Sequence, residues 1–163
     1  MSKVVIGIDG SAQAEQALRR GLQEALRSGA QALVMHVWLP TPYSANLPWF
    51  AAPYPAAIQE HIDKDRESAA AEMRRRVAEI QAEEGAGAVE VTCTTRVGMV
   101  APTLLEEAAD ADTLVVGARG HGGFPGLLLG SVTDQCVRHS ACPVLVVPAR
   151  AGGEAHLPEA LNR

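Results

Sequence analysis

The chain has 163 residues, of which 47% are hydrophobic and 20% charged, the balance of one globular domain large enough for a full apolar core. A formal net charge of −5 argues against a general nucleic-acid binder, whose contact face is basic, and means that a polyanionic ligand must be met by local groups. Three cysteines, Cys93, Cys136 and Cys142, without CxxC spacing argue against a disulfide framework or a zinc site and for reduced, mostly buried thiols.

In chain order, Met1–Lys3 runs straight into the apolar segment Val4–Ile8 without a signal-peptide pattern. No apolar stretch is long enough to span a bilayer, so a cytoplasmic location is expected. Gly7-Ile8-Asp9-Gly10-Ser11 leads into Ala12–Arg27, where Ala14, Ala17, Leu18, Leu22, Ala25 and Leu26 recur at helical spacing. The run Ala32–Trp38 follows. Leu39–Pro55 then holds five prolines and both tyrosines, a loop of a length that usually carries function or disorder. Ala56–Glu84 reads as a long helix with Ile58, Ile62, Ala69, Met73, Val77 and Ile80 on its apolar stripe, ended by Gly85 and Gly87. Val89–Thr94 alternates as an edge strand would, and Val100–Ala109 supplies Leu104, Leu105 and Ala108 to another helix. Thr113–Gly117 is a strand, Ser131–His139 a helix halted before Pro143, and Val144–Val147 a last strand. Residues 149–163 read as a flexible tail.

Four of the five strand-like runs are nearly continuous in aliphatic residues, as strands covered by helices on both faces are. Strand and helix alternate throughout, which predicts an α/β fold, a doubly wound five-stranded parallel sheet spanning residues 1–148 as a single domain.

In such sheets ligands sit at the carboxyl ends of the strands. The segment Gly117–Ser131 leaves one of those ends and contains six glycines, which let backbone amides approach a ligand unshielded. Gly130-Ser131 then opens a helix whose free amides and positive end favour a phosphate. Ser131 either caps that helix, with Asp134 completing a capping box, or turns its hydroxyl to a phosphate. GxxxxGK[ST] is absent, and Lys3 and Lys64 are the only lysines. Gly7-Ile8-Asp9-Gly10 lacks the GxGxxG spacing of a dinucleotide fold. Phosphate charge therefore falls to backbone amides, Arg119, Arg138 as a further candidate, and a divalent cation on the phosphates themselves. The loop thus predicts ATP binding.

Gly117-x-x-Gly120, nine residues, then Gly130-Ser131 resembles the ATP-binding signature of the universal stress proteins, G-x2-G-x9-G-[ST]. Gly7–Ser11, His36-Val37 and Cys142-Pro143-Val144-Leu145-Val146-Val147 extend the resemblance over residues 1–148. It implies a Rossmann-like fold of the adenine-nucleotide α-hydrolase type, with strand order 3-2-1-4-5. It further implies that Asp9 holds the ribose hydroxyls beside Gly7 and Ile8, and that Val37 borders the adenine. Val116 and Gly117 would border sugar and phosphates. Arg119, Gly120, Gly130, Ser131, Val132 and Thr133 would meet the phosphates, with Mg2+ or Mn2+ bound through them. The position of Arg119 is often histidine in that family. A homodimer through residues 143–147 is implied as well, and nothing carries over to the loop 39–55.

Plainer readings stand beside these. Asp9 and Ser11 could simply cap a helix, and the glycine run could be a surface loop. His36 reads as a satisfied core group, His61 and His139 as solvated, and His121 as within reach of a phosphate. Arg74-Arg75-Arg76 reads as a solvated helix face. Tyr43, Trp49, Phe50 and Tyr54 could close over an adenine, pack on a partner subunit, or be disordered. Three functions follow: an ATP-binding regulator in stress response, a slow ATPase or nucleotidyl-transfer enzyme, and a dimeric interaction protein that ignores nucleotide. The enzyme reading lacks an evident general base in the glycine loop.

Overall fold

The computed structural model describes residues 2–38, 56–120 and 128–148. Strands β1 (Lys3–Ile8), β2 (Gln31–Trp38), β3 (Val91–Val97), β4 (Thr113–Gly117) and β5 (Val144–Val147) alternate with helices α1 (Ala12–Ser28), α2 (Ala56–Glu83), α3 (Val100–Glu107) and α4 (Ser131–His139). The strands form one parallel sheet in the order β3-β2-β1-β4-β5. The central β1 pairs Val5 with Leu33 on one side and with Leu114 on the other. The chain turns back at β1, so the carboxyl ends of β1 and β4 flank the switch point where parallel sheets bind ligands.

The alternation of side chains along β1 divides the core. Val4 and Ile6 face α1 and α2, packing with Leu18, Leu22, Val77 and Ile80. Val5 faces α3 and α4, packing with Met35, Leu104, Leu114 and Cys136. Both layers are dry because the helices bring aliphatic stripes at the predicted spacing, although Leu26 of α1 falls outside the buried stripe at 43% exposure. Burial pushes the Cys136 thiol up to about 11, which keeps it protonated and inert. Cys93 and Cys142 are only half-buried, against the expectation of a mostly buried set.

Two local differences from the sequence expectation have clear causes. Val89 is not strand: its amide donates to the Ala86 carbonyl at 3.0 Å and its side chain is buried in the turn after α2. That turn uses Gly85 at φ +63° to reverse the chain. The strand instead runs on through the polar Thr94-Thr95-Arg96, which pair with Met35, His36 and Val37 along the sheet edge. In the arginine triplet, Arg74 and Arg75 are exposed as expected and Arg76 only partly so; Arg76 makes the longer reach. It reaches across from α2 to Glu15 of α1 at 2.5 Å, and to Glu79 at 2.9 Å. The Arg76 guanidinium, helped by Arg19, holds the Glu15 carboxyl below its usual range. The calls on residues 39–55, on His121 and on 149–163 lie outside the described residues.

Candidate functional site

Three stretches meet at the carboxyl edge of the sheet: the end of β1, the turn after β4, and the start of α4. Gly10, at φ +80°, turns the chain sharply out of β1. Ser11 then caps α1, its Oγ accepting from the Ala14 amide at 3.1 Å. Asp9 supports that cap, its Oδ1 accepting from the Ser11 amide at 3.0 Å and from the Ser11 hydroxyl at 2.6 Å. The capping reading of Asp9-Gly10-Ser11 is therefore correct for one oxygen. The second, Oδ2, faces the Gly120 backbone so closely that a Cβ on Gly120 would come within 2.6 Å of it.

After β4 the chain makes a short turn fixed by two backbone bonds. The Ala118 amide donates to the Val147 carbonyl at 2.7 Å, and the Gly130 amide donates to the Ala118 carbonyl at 2.8 Å. The turn and the helix start are thereby pinned side by side. Thr133 adds a third tie, its buried hydroxyl donating to the Gly117 carbonyl at 2.7 Å. Thr133→Val keeps the shape and deletes that donor. It should destabilise the fold by about 1–2 kcal/mol, measurable as a lower urea midpoint with unchanged slope.

The start of α4 departs from the expected capping box. Gly130, at φ −72° and ψ 160°, is the N-cap, and no side chain caps the helix. Ser131 is already helical, so its hydroxyl cannot take the capping position. The amides of Ser131, Val132 and Thr133 consequently have no intrahelical acceptor. They lie at the positive end of the helix dipole.

These groups line one cavity of about 310 Å³, within the range of small-molecule sites. All twelve residues named from the sequence border it: Gly7, Ile8, Asp9, Val37, Val116, Gly117, Arg119, Gly120, Gly130, Ser131, Val132 and Thr133. Among the described residues four more line it, Ala14, Met35, Val100 and Leu104. The cavity is polar at the β1 and α4 ends and apolar where Met35, Val37, Val100 and Leu104 face one another. Gly7 preserves its width, since a Cβ there would meet Leu104 Cδ1 at 3.0 Å. Arg138 does not belong to it. It sits exposed near the far end of α4 and donates to Asp134 at 2.9 and 3.0 Å.

Among the described lining residues Asp9 is the one carboxylate and Arg119 the one cation. Half-buried Arg119 makes no ion pair with another described residue. The arrangement suits a ligand with a flat apolar part, a hydroxyl-bearing part and an anionic tail.

Comparison with known proteins places the chain among relatives. The universal stress protein family matches over residues 1–148. A universal stress protein of Mycolicibacterium smegmatis is 34% identical over 147 residues, 90% of this chain and 46% of that protein. The chain thus spans about half the length of the curated relatives it matches. The universal stress protein UspA from Lactobacillus plantarum superposes with a TM-score of 0.69 at 20% identity, covering 90% of this chain and 97% of that one. A universal stress protein in complex with cAMP gives a TM-score of 0.60 at 29% identity, covering 90% and 96%.

Proposed function

The chain belongs to the universal stress protein family, and from that premise we propose that its crevice binds ATP and that the protein is a nucleotide-dependent regulator in stress response. The observation that carries the reading is the start of α4, without a side-chain cap and packed against a glycine-lined turn, lining one cavity with Asp9. Asp9 Oδ2 accepts from ribose hydroxyls. Val37, with Met35, Val100 and Leu104, flanks the adenine. The amides of Ser131, Val132 and Thr133 hold the phosphates together with Arg119. Gly130 serves through its lack of a side chain, because its own amide is already spent on Ala118. The cAMP complex of a relative supports an adenine nucleotide as the class of ligand.

A divalent cation, Mg2+ or Mn2+, fits as a companion of the phosphates. Asp9, the one carboxylate among the described lining residues, has one oxygen engaged by Ser11, so the ion is held by the nucleotide more than by the chain. Four charge-assisted hydrogen bonds at about 2 kcal/mol each give about 8 kcal/mol, enough for micromolar binding when the loop is preformed. The same scarcity of carboxylates favours binding over turnover, since Asp9 is committed to a cap and to the ribose. We read residues 1–148 as one domain, located in the cytoplasm. Strand β5, at the sheet edge, is offered as the dimer contact through residues 143–147.

Mass spectrometry of small molecules released on denaturing the purified protein tests the reading, with ATP or ADP expected. Its absence, together with no heat of binding on adding Mg·ATP, refutes it. Arg119→Ala should weaken ATP about tenfold, the loss of one charge-assisted hydrogen bond, and leave adenosine nearly unchanged. Equal losses for both ligands would remove Arg119 from the phosphate site.

A further inference from the structure

A second cavity lies on the opposite face of the sheet, between α1 and α2, with a volume of about 390 Å³. Its floor is Leu18, Met73, Val77 and Ile80. At the sheet end stands His36, and burial holds its imidazole below the ordinary range, opposed in part by the Asp9 carboxylate. A neutral ring offers both a donor and an acceptor. No hydrogen bond joins that ring to another described residue. Its neighbour on β3, Thr95, has a buried hydroxyl that is likewise without a partner among the described residues. Unspent polar groups beside an apolar floor are costly unless a ligand meets them.

The sign of the field selects the ligand. Among the described residues, Asp9, Glu15 and Glu72 line the cavity with one cation, Arg76, while Arg19 and Arg75 pair with Glu15 and Glu72 from outside the lining. Glu79, Glu83 and Glu84 pair with the same three arginines, so carboxylates outnumber cations around it. The Arg76 guanidinium is already spanned between Glu15 and Glu79. A second phosphate would be repelled here, whereas a cation is attracted and can donate to the neutral imidazole. The walls suit a compact hydrocarbon or aromatic body, with Met73 able to pack against a ring. We propose that this cavity is a second binding site, separate from the crevice on the other face, for a small apolar molecule carrying one protonated amine. The two cavities adjoin at Ile8, Asp9 and Ala14, where β1 ends and α1 begins, and extend from there to opposite faces of the sheet.

Titration of the full chain with 2-phenylethylammonium chloride, followed by NMR at the His36 ring and the Met73 methyl, tests this. Saturable shifts of both signals at millimolar concentrations are expected. The anion 3-phenylpropionate should bind at least about tenfold more weakly, as should the amine to the surface variant Glu72→Lys, which reverses one charge at the rim. Absence of a saturable shift overturns the site, including the case in which the protein's own chain fills it. Shifts confined to Gly117 and Ser131 place the probe in the other crevice and overturn it equally. Equal affinity for the anion, or no change in Glu72→Lys, overturns the charge class.

Discussion

Gly130→Val should weaken Mg·ATP binding by about a hundredfold or more, equivalent to at least about 2.7 kcal/mol, while leaving the fold in place. The backbone at this position, φ −72° and ψ 160°, is one that a β-branched residue adopts without strain. A Cβ itself would fit, 3.4 Å from Arg119 Cα and 3.7 Å from the Ala118 carbonyl oxygen. The two further methyls then occupy the space between that turn and the helix start, where a phosphate must come within hydrogen-bonding distance of the amides. Exchanging the N-cap glycine costs up to about 1 kcal/mol, a fall in Tm of about 2–4 °C. Calorimetry of binding beside a thermal melt separates the two effects. An unchanged affinity would mean that the start of α4 does not meet the ligand, and the proposed function would lose its main support.

Ile6→Ala should destabilise the protein by about 3–4 kcal/mol, a large share of the 5–15 kcal/mol available to a domain of this size. Ile6 is wholly buried in the middle of the central strand. Its side chain fills the gap left by Gly21 on α1, so closely that a Cβ on Gly21 would lie 2.5 Å from Ile6 Cδ1. Truncation leaves a void flanked by a strand that pairs on both sides and therefore cannot collapse into it. The measurement is the urea midpoint at constant slope. Leu26→Ala on the same helix is the control. Leu26 is 43% exposed, and its loss should cost less than about 1 kcal/mol. Similar costs for the two would mean that the core does not close around β1.

The sheet and its helices were legible because burial on both faces writes long aliphatic runs into the sequence. Thr113–Gly117, Val144–Val147 and Ser131–His139 fall at the expected residues. The edge strand was harder to bound. An edge tolerates Thr94, Thr95 and Arg96, which carry no apolar signal, while Val89 is apolar yet belongs to a turn. Glycines and polar residues at strand ends and a helix start point to a crevice. Ala14, Met35, Val100 and Leu104 line the same cavity, but they lie in ordinary helical and strand stripes. Nothing in such a stripe distinguishes a cavity wall from packed core. Arg138 misled for a geometric reason: seven residues along a helix is roughly 10 Å, beyond reach of the first turn. Arg76 misled because the stripe facing α1 includes a charged position whose partner, Glu15, is distant in sequence.

The pairing of β1 with β4 has a consequence for how the protein is made. Asp9 emerges well before β4, and Val4 finds its partner Thr113 only after all the intervening residues have been synthesised. At ribosomal rates of about 5–20 residues per second, that wait lasts on the order of 5–20 seconds. Through that interval neither β4 nor the start of α4 exists to complete the crevice. Nucleotide can therefore reward only a chain that extends past the start of α4, and products that stop before it gain nothing.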